Sequence, residues 1–318
     1  MVSALTALVV SWLWCRMLPL VGPRLGYVDE PGKDVLKTHE LPAVPLAGPG
    51  LLLATLVPFS WLGGLRPSVM LGLVLITALG VADDRLDLAP GVRLIVEVVL
   101  AAVLSWHWSK ESLPLFLISI VVVVVSINAV NLYDGIDGLA GASGAASLLG
   151  LAVLAWTDGA VFWLPILLAV ALAGFLPFNW HPARVFLGDG GAYLVGAVIA
   201  VGSMTVASSR GMVGVLTALG FLGMFAVDLV VTVGRRYRLG HRLFAGDRGH
   251  IYDRLVMDGW SVPRVTLSLV ACHAAIVGVT LVAIRMLPAG AAFFAVLAIA
   301  LSGLAMTWRV AQRPPAEG

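Results

Sequence analysis

Charged residues are scarce in this sequence. Asp, Glu, Lys and Arg make up 12% of its 318 residues, whereas a soluble globular chain carries about 25%. A chain with so few charges cannot cover its surface with polar groups, which excludes a soluble domain. Hydrophobic residues make up 60% of the chain and its mean hydropathy is +0.99. These values indicate that the protein is surrounded by lipid.

Cysteine is also nearly absent, because Cys15 and Cys272 are the only two and both lie in apolar segments. Two isolated cysteines provide neither a disulfide framework nor a metal-ligand spacing, so we interpret both as small buried hydrophobic residues. The alternation typical of membrane β-barrels is missing too. Long unbroken apolar runs instead predict helices, which satisfy their own backbone hydrogen bonds in lipid.

The apolar runs predict an all-α polytopic membrane protein of eleven transmembrane helices, or ten if one run is re-entrant or interfacial, since about 20 apolar residues cross a bilayer. The predicted spans are 1–21, 43–62, 67–82, 91–108, 113–129, 142–157, 160–178, 190–208, 211–233, 265–285 and 288–308. We expect a single transmembrane domain over 1–310 and a disordered tail over 311–318. The first run lacks a basic start and a cleavage site, so we expect it to be retained.

The distribution of basic residues predicts the orientation. With eleven spans, sixteen of the twenty Lys and Arg residues fall in one set of loops and adjoining helix ends. Cytoplasmic loops carry such an excess, so we expect the N-terminus outside and the C-terminus in the cytoplasm, in an inner or plasma membrane. All acidic residues except Glu111 and Asp158 lie in or near the same loops. The sequence thus predicts an active site on the cytoplasmic face.

A group of three aspartates, Asp83, Asp84 and Asp87, lies at the inner end of the third predicted helix. Asp83 and Asp87 share a helix face if the helix continues. Adjacent carboxylates repel each other and persist where they share a cation or a proton. Such oxygen ligands suit Mg²⁺. The alternative interpretation is an Asp-rich, solvated helix end.

Four polar residues, Asn128, Asn131, Asp134 and Asp137, recur at every third position after a run of valines. Burying two amides and two carboxylates costs several kcal/mol unless they find partners. A polar contact between helices, the alternative interpretation, requires only one or two such residues. The pattern therefore favours a functional site.

The run Gly-Asp-Gly-Gly at 188–191 places Asp189 at a predicted helix start. Helix N-termini and glycine-rich turns accept phosphate oxygens through their backbone N–H groups. Because Asp-Gly is also common in ordinary turns, this motif gains significance from the other motifs on the same side.

Two loops contribute basic side chains. Arg248 and His250 lie in the long loop over 234–264, and their mixed-charge surroundings suggest recognition of a diphosphate or nucleotide. Lys37 and His39 precede the second predicted helix, and a polar connecting loop is the alternative interpretation there. His273, alone in an apolar helix, is interpreted as hydrogen-bonded rather than catalytic.

In order along the chain, these motifs read Asp-Xaa-Pro, Lys-Xaa-His, Asp-Asp, Asn-Xaa-Xaa-Asn-Xaa-Xaa-Asp-Gly-Xaa-Asp-Gly, Gly-Asp-Xaa-Gly and Asp-Arg-Xaa-His. The series, from about residue 25 to 260, resembles the polyprenyl-phosphate N-acetylhexosamine-1-phosphate transferases. The resemblance implies that a polyprenyl phosphate attacks the β-phosphorus of a UDP-sugar and releases UMP. It also implies Mg²⁺ or Mn²⁺ as the cofactor and a site at the membrane surface.

The resemblance also implies roles for individual residues. It assigns catalysis to Asp83, Asp84 and Asp189, with Asp83 the candidate base for the lipid phosphate. The implied metal ligands are Asp189, Asp84 and Asn131. The implied substrate-binding residues are Lys37, His39, Asn128, Asn131, Asp134, Asp137, Arg248 and His250.

The chain departs from this family in its last loop. Family members often carry His-Xaa-His-His where this chain has His250-Ile-Tyr252-Asp253. The run Phe-Ala-Val-Asp at 225–228, followed by Arg-Arg at 235–236, resembles the GlcNAc-1-phosphate branch more than the muramyl-pentapeptide branch. A muramyl-pentapeptide phosphotransferase, a transporter of an anionic solute and an inactive scaffold homologue are the alternatives. We expect no nucleic-acid partner, and the sequence leaves a homodimer open.

Overall fold

The computed structural model describes residues 1–32, 41–62, 66–110, 112–157, 163–210, 212–241, 247–287, 298 and 301–303. Within these ranges the fold is helical and has no strand, as predicted. The α-helices are α1 (Val2–Val21), α2 (Ala47–Ser60), α3 (Pro67–Leu86), α4 (Pro90–Ser105), α5 (Leu113–Tyr133), α6 (Leu139–Thr157), α7 (Trp163–Asn179), α8 (Gly188–Arg210), α9 (Met212–Arg238), α10 (Ile251–Met257) and α11 (Val262–Met286). Short 3₁₀ turns follow α1 and α4.

Five of these helices, α1, α5, α6, α8 and α11, are long and apolar enough to cross a membrane, and α2 and α7 are shorter apolar helices. Large apolar side chains such as Ile95, Val121 and Val282 are more than half exposed. Exposed apolar surface of this extent is rare on soluble monomers and fits hydrocarbon. The chain is a multi-pass membrane protein.

The count of eleven spans stays a prediction, because the last predicted span, 288–308, lies almost entirely outside the described residues. The same holds for the single domain over 1–310. The tail over 311–318 lies outside the described residues as well.

Helix α8 lies at the centre of the bundle. It packs against α3, α5 and α9, and also against α2 and α6. Its sequence is rich in Gly, Ala and Val, and such small side chains let helix backbones approach closely within a membrane. Every residue from 190 to 204 is buried. The first two residues of α8 are only partly buried, so the N-terminal end of this helix is accessible.

The structure corrects three details of the sequence interpretation. Helix α3 ends at Leu86, and Asp87 takes a left-handed conformation with φ 46°, so it does not continue the helix face of Asp83. The predicted loop over 234–264 contains the short helix α10. Cys15 is buried as expected, but Cys272 is exposed, because it lies on an exposed face of α11.

Helix α9 is interrupted at Gly223, where φ is 46° and ψ is −124°, a conformation that favours glycine. The hydroxyl of Ser147 donates to the freed Phe221 carbonyl at 2.6 Å, and the freed Met224 N–H donates to His273 Nδ1 at 3.2 Å. His273 Nε2–H then donates to Ser147 Oγ at 2.7 Å. Unpaired backbone groups in lipid cost several kcal/mol, so these two side chains stabilise the interruption. His273 is hydrogen-bonded, as the sequence predicts.

Candidate functional site

Helices α3 and α8 meet in direct backbone contact at the end where the aspartates lie. A Cβ atom added to Gly80 would lie only 2.5 to 2.6 Å from backbone atoms of Asp189 and Gly190. Real Cβ atoms do not approach backbone so closely, so only glycine at position 80 permits this contact. The contact brings the end of α3 to the start of α8.

Asp84 caps the start of α8. The backbone N–H of Asp189 donates to both carboxylate oxygens of Asp84, at 3.2 and 3.0 Å. The first N–H groups of a helix lack partners within the helix, and a negative charge there is favoured by the helix dipole. This cap joins two motifs that lie 105 residues apart and places the two aspartates side by side.

Asp83 is buried and its carboxylate accepts three hydrogen bonds. Its Oδ2 accepts from Tyr193 Oη at 3.0 Å and from Arg93 Nη1 at 3.1 Å, and its Oδ1 accepts from the Leu88 N–H at 3.1 Å. The Asp189 carboxyl also lies within hydrogen-bonding reach of Asp83. Asp83 therefore joins α3, α4 and α8 and holds a fixed position beside Asp189.

The Asp83 contacts continue into the bundle through a buried carboxylate of α4. Arg93 Nε lies 3.5 Å from Glu97 Oε1, and Asn128 Nδ2 donates to Glu97 Oε2 and to the Val124 carbonyl. Asn128, predicted to bind substrate, thus has its amide N–H groups engaged within the protein. The sequence carried a signal for this network, because an Arg and a Glu spaced by four residues inside an apolar helix can pair.

Helix α5 ends at Tyr133, so Asn131 lies on the helix while Asp134 and Asp137 lie on the turn that follows. The charges of Asp84 and Asp137 both act on Asp134. Burial, together with these two charges, raises the pKa of Asp134 to about 7. No hydrogen-bond donor to its carboxylate is found among the described residues. Asp134 therefore belongs to the aspartate group, and among the described residues no basic side chain offsets its charge.

Asp137 fastens the turn after α5 to the segment that precedes α8. Its Oδ2 accepts from the Ala183 N–H at 3.1 Å and lies 2.8 Å from His181 Nδ1. The Thr266 hydroxyl donates to its backbone carbonyl at 2.9 Å. The structure thus gives Asp137, predicted to bind substrate, a structural contact that positions the neighbouring aspartates.

Lys37 and His39 lie outside the described residues, so their contact with substrate stays a prediction. The described residues on either side are paired, since Asp29 and Ala43 exchange backbone hydrogen bonds of 2.8 and 3.1 Å. Val44 then exchanges backbone hydrogen bonds with the segment that precedes α8. Both ends of this connection are therefore attached near the aspartates.

His250 and Arg248 lie in the connection between α9 and α11. The His250 Nδ1 lies 2.6 Å from Asp228 Oδ2, and both side chains are buried. Tyr252 stacks on the His250 ring with a centroid distance of 5.1 Å. Arg248 is exposed and its charge acts on Asp253. In the sequence, Asp228 stands out only as part of the run that resembles the GlcNAc-1-phosphate branch, and its pairing with His250 becomes visible only in the fold.

Asp247 anchors the basic end of α9. Its carboxylate accepts from Arg235 Nη2, from Arg236 Nε at 2.8 Å and from the Gly249 N–H at 2.9 Å. Burial opposes ionisation, but the hydrogen bonds from the two arginines outweigh it and hold the pKa of Asp247 below its usual range. The ionised carboxylate therefore stabilises the folded protein.

We expect Asp247→Asn to lower the thermal stability of the purified protein in detergent. A carboxyl whose pKa is depressed on folding stabilises the protein above its unfolded pKa of about 4. The stability difference between wild type and variant should be complete above that pH and shrink as the pH falls toward the lower pKa of the folded protein. Melting temperatures across a pH series measure this, and a difference that grows on acidification would contradict it.

Comparison with known proteins adds an independent observation. Residues 67–207 match the model of glycosyl transferase family 4. The matched segment contains α3 to α7 and most of α8, so it carries Asp83, Asp84, Asp134 and Asp189.

Several known transferases extend the similarity to most of the chain. A decaprenyl-phosphate N-acetylglucosaminephosphotransferase of Mycobacterium leprae is 28% identical over 83% of this chain and 78% of its own length. A probable undecaprenyl-phosphate N-acetylglucosaminyl 1-phosphate transferase of Bacillus subtilis is 24% identical over 82% and 77%. A phospho-N-acetylmuramoyl-pentapeptide-transferase of Geobacillus kaustophilus is 36% identical, but over only 37% and 35%.

The aspartates of the matched segment offer the oxygen ligands that suit a magnesium ion. Within the described ranges, no three His, Cys, Asp or Glu side chains are arranged to hold a metal ion by themselves. Mg²⁺ does not require such a cage, because it binds one or two carboxylates and keeps water and phosphate ligands. Asp134 and Asp189 face other carboxylates, and Asp84 retains free lone pairs. The donor set therefore fits the predicted cofactor.

Proposed function

We propose that this protein transfers N-acetylglucosamine-1-phosphate from UDP-N-acetylglucosamine to a polyprenyl phosphate, giving a polyprenyl diphosphate-linked sugar and UMP. The observation that carries the proposal is the convergence of Asp84, Asp134 and Asp189 at the start of α8. The relatives named for this reaction, which match most of the chain, support the choice of sugar and lipid.

In the proposed reaction, an oxygen of the lipid phosphate forms a bond to the β-phosphorus of the UDP-sugar. The bond between that phosphorus and the oxygen bridging to the α-phosphate breaks, and UMP leaves with the electron pair. Phosphoryl transfer requires mainly positioning and charge neutralisation from the protein. The N-terminus of α8 favours phosphate oxygens through its N–H groups and its dipole.

We propose that Asp189 and Asp84 hold Mg²⁺, with Asn131 and Asp134 nearby on the α5 side. When bound, the ion would neutralise charge on the diphosphate and on the leaving UMP. Mn²⁺ offers the same octahedral oxygen coordination and is expected to replace it. Three of these groups are carboxylates, and their mutual repulsion favours a shared cation.

The contacts of Asp83 bear on its predicted role as base. Three donors already occupy its carboxylate, so its position is fixed by the protein. A phosphate monoester has a second pKa of about 6, so most of the lipid phosphate is already a dianion at pH 7. We therefore propose that Asp83 positions Asp189 and Arg93, and that deprotonation by Asp83 is not required.

The proposal is tested by incubating the purified protein with decaprenyl or undecaprenyl phosphate, Mg²⁺ and a panel of UDP-sugars, and by measuring UMP. We expect UDP-N-acetylglucosamine to be the preferred donor. Preference for UDP-N-acetylmuramoyl-pentapeptide would instead assign the muramyl branch, which the Geobacillus relative represents. Release of UMP from none of the donors would contradict the proposed function.

Removal of divalent metal is expected to reduce UMP release to background. Without a cation, the Asp84, Asp134 and Asp189 carboxylates would repel the diphosphate. Activity should return when Mg²⁺ or Mn²⁺ is added in excess of the chelator. The control is the same chelator presaturated with Mg²⁺, and undiminished turnover in excess free chelator would count against the mechanism.

We also propose that the site faces the cytoplasm and that the N-terminus lies outside. The excess of Lys and Arg in one set of loops supports this orientation, and a UDP-sugar is a cytosolic donor. Labelling of a cysteine added before residue 2 with a membrane-impermeant reagent in intact cells tests the orientation. Protection of that cysteine until the membrane is opened would reverse the assignment.

A further inference from the structure

The buried imidazole of His250 is oriented by a carboxylate of α9. Asp228 Oδ2 accepts from the His250 Nδ1–H at 2.6 Å, and Thr232 Oγ1 lies 3.3 Å from the same nitrogen. The Ile251 N–H contacts the other oxygen of Asp228 at 3.4 Å. The opposite ring nitrogen, Nε2, has no hydrogen-bond partner within the described part of the chain. Asp228 thus fixes the ring so that Nε2 is left for a ligand.

The Tyr252 ring stacks on the face of the same imidazole, and its hydroxyl contacts residues beside Asp134. The two rings are almost parallel, with an interplanar angle of 6°. The Tyr252 hydroxyl donates to the Leu132 carbonyl at 3.0 Å, near the end of α5. It also lies against Gly135, where a Cβ atom would be within 2.2 Å of it. Tyr252 therefore connects α10 to the residues on both sides of Asp134.

We propose that Asp228 and Tyr252 are positioning residues that hold His250 as a phosphate-binding group of the transferase site. The inference rests on the proposed function. It adds a role for Tyr252, which stands where similar transferases often carry a histidine. A histidine whose Nδ1–H is held by a carboxylate presents Nε2 in a defined direction, and in its imidazolium form the Nε2–H donates to a phosphate oxygen. Tyr252 supplies ring stacking and a link to the Asp134 turn, so a second imidazole is not needed there.

The test is a double-mutant cycle on kcat/KM for UMP release, with His250→Asn as the reference variant. Asp228→Asn and Tyr252→Leu are each expected to lower kcat/KM about tenfold, the lower end of the effects seen when the partner of a functional histidine is removed. Added to His250→Asn, neither should lower it further, because both act through His250. Tyr252→Phe keeps the stacked ring and should retain most of the activity.

The matched control is Tyr237→Leu, since Tyr237 of α9 is 80% exposed and should leave kcat/KM unchanged. A general loss of folding would lower the melting temperature and would reduce activity in the His250→Asn background as well. A further loss of kcat/KM when either substitution is added to His250→Asn, or full activity of Asp228→Asn, would overturn the positioning role. The proposed function would then still stand. A wild-type protein that releases no UMP would overturn the proposed function and this inference together.

Discussion

Asp189→Asn is expected to lower UMP release by about 10²–10³-fold, the effect of removing one electrostatic contact to a developing charge. The substitution removes a carboxylate that lies beside Asp83 and Asp84 at the start of α8. The backbone N–H that binds Asp84 is kept. Since one of several mutually repelling charges is lost, the melting temperature should be unchanged or higher.

The matched control is Asp258→Asn, because Asp258 is exposed at the end of α10. Asp83→Asn should behave differently from Asp189→Asn. In Asp83→Asn, the three donors Arg93, Tyr193 and the Leu88 N–H share a single carbonyl oxygen instead of two carboxylate oxygens. The stability should therefore fall along with the activity. Full activity of Asp189→Asn would reject the site assignment, and a lower melting temperature would show that folding is affected instead.

Gly80→Ala is expected to reduce activity by about 10²-fold, because a displacement of about 1 Å at a reacting centre can cost that much. The added methyl group would meet the Asp189 carbonyl carbon and the Gly190 nitrogen at 2.5 Å. Backbone atoms cannot rotate away as a side chain does, so α3 and α8 must separate. Overpacking of this kind costs about 1–3 kcal/mol of stability, and the cap from Asp84 to α8 should weaken.

Gly278→Ala provides the control, since Gly278 lies on α11 with no heavy atom within 4 Å of a Cβ added there. That variant should keep both its activity and its melting temperature. The measurements are UMP release and thermal unfolding for the two variants side by side. Wild-type activity in Gly80→Ala would show that the close contact of α3 with α8 is not needed for the reaction.

The sequence predicted the helical class and the grouping of the aspartates because both depend on simple constraints. Apolar runs of membrane length allow few alternatives. Ten of the eleven predicted spans overlap one of the helices α1 to α11, and the eleventh lies almost entirely outside the described residues. Asp84 and Asp189 come together, although 105 residues separate them, because both lie at helix ends on the same predicted side. The motifs and the predicted topology both place these aspartates on the same side of the membrane.

The partners of these residues could not be predicted in the same way. Asp83 binds Tyr193, 110 residues away, and the amide nitrogen of Asn128 donates to Glu97. Such pairings depend on the rotation of each helix within the bundle, which apolar runs without a polar stripe do not define. The contact of Asp137 with His181 could not be predicted for the same reason, and its contact with substrate stays a prediction.

The interruption of α9 has a consequence for the carboxylate that follows it. Beyond Gly223, the direction in which each side chain leaves the helix is set by the turn at that glycine and not by the first half of α9. Asp228 lies five residues after Gly223. Ser147 and His273 are the two buried side chains that stabilise the interruption. The direction of the Asp228 side chain therefore depends on two polar side chains in the interior of the helix bundle.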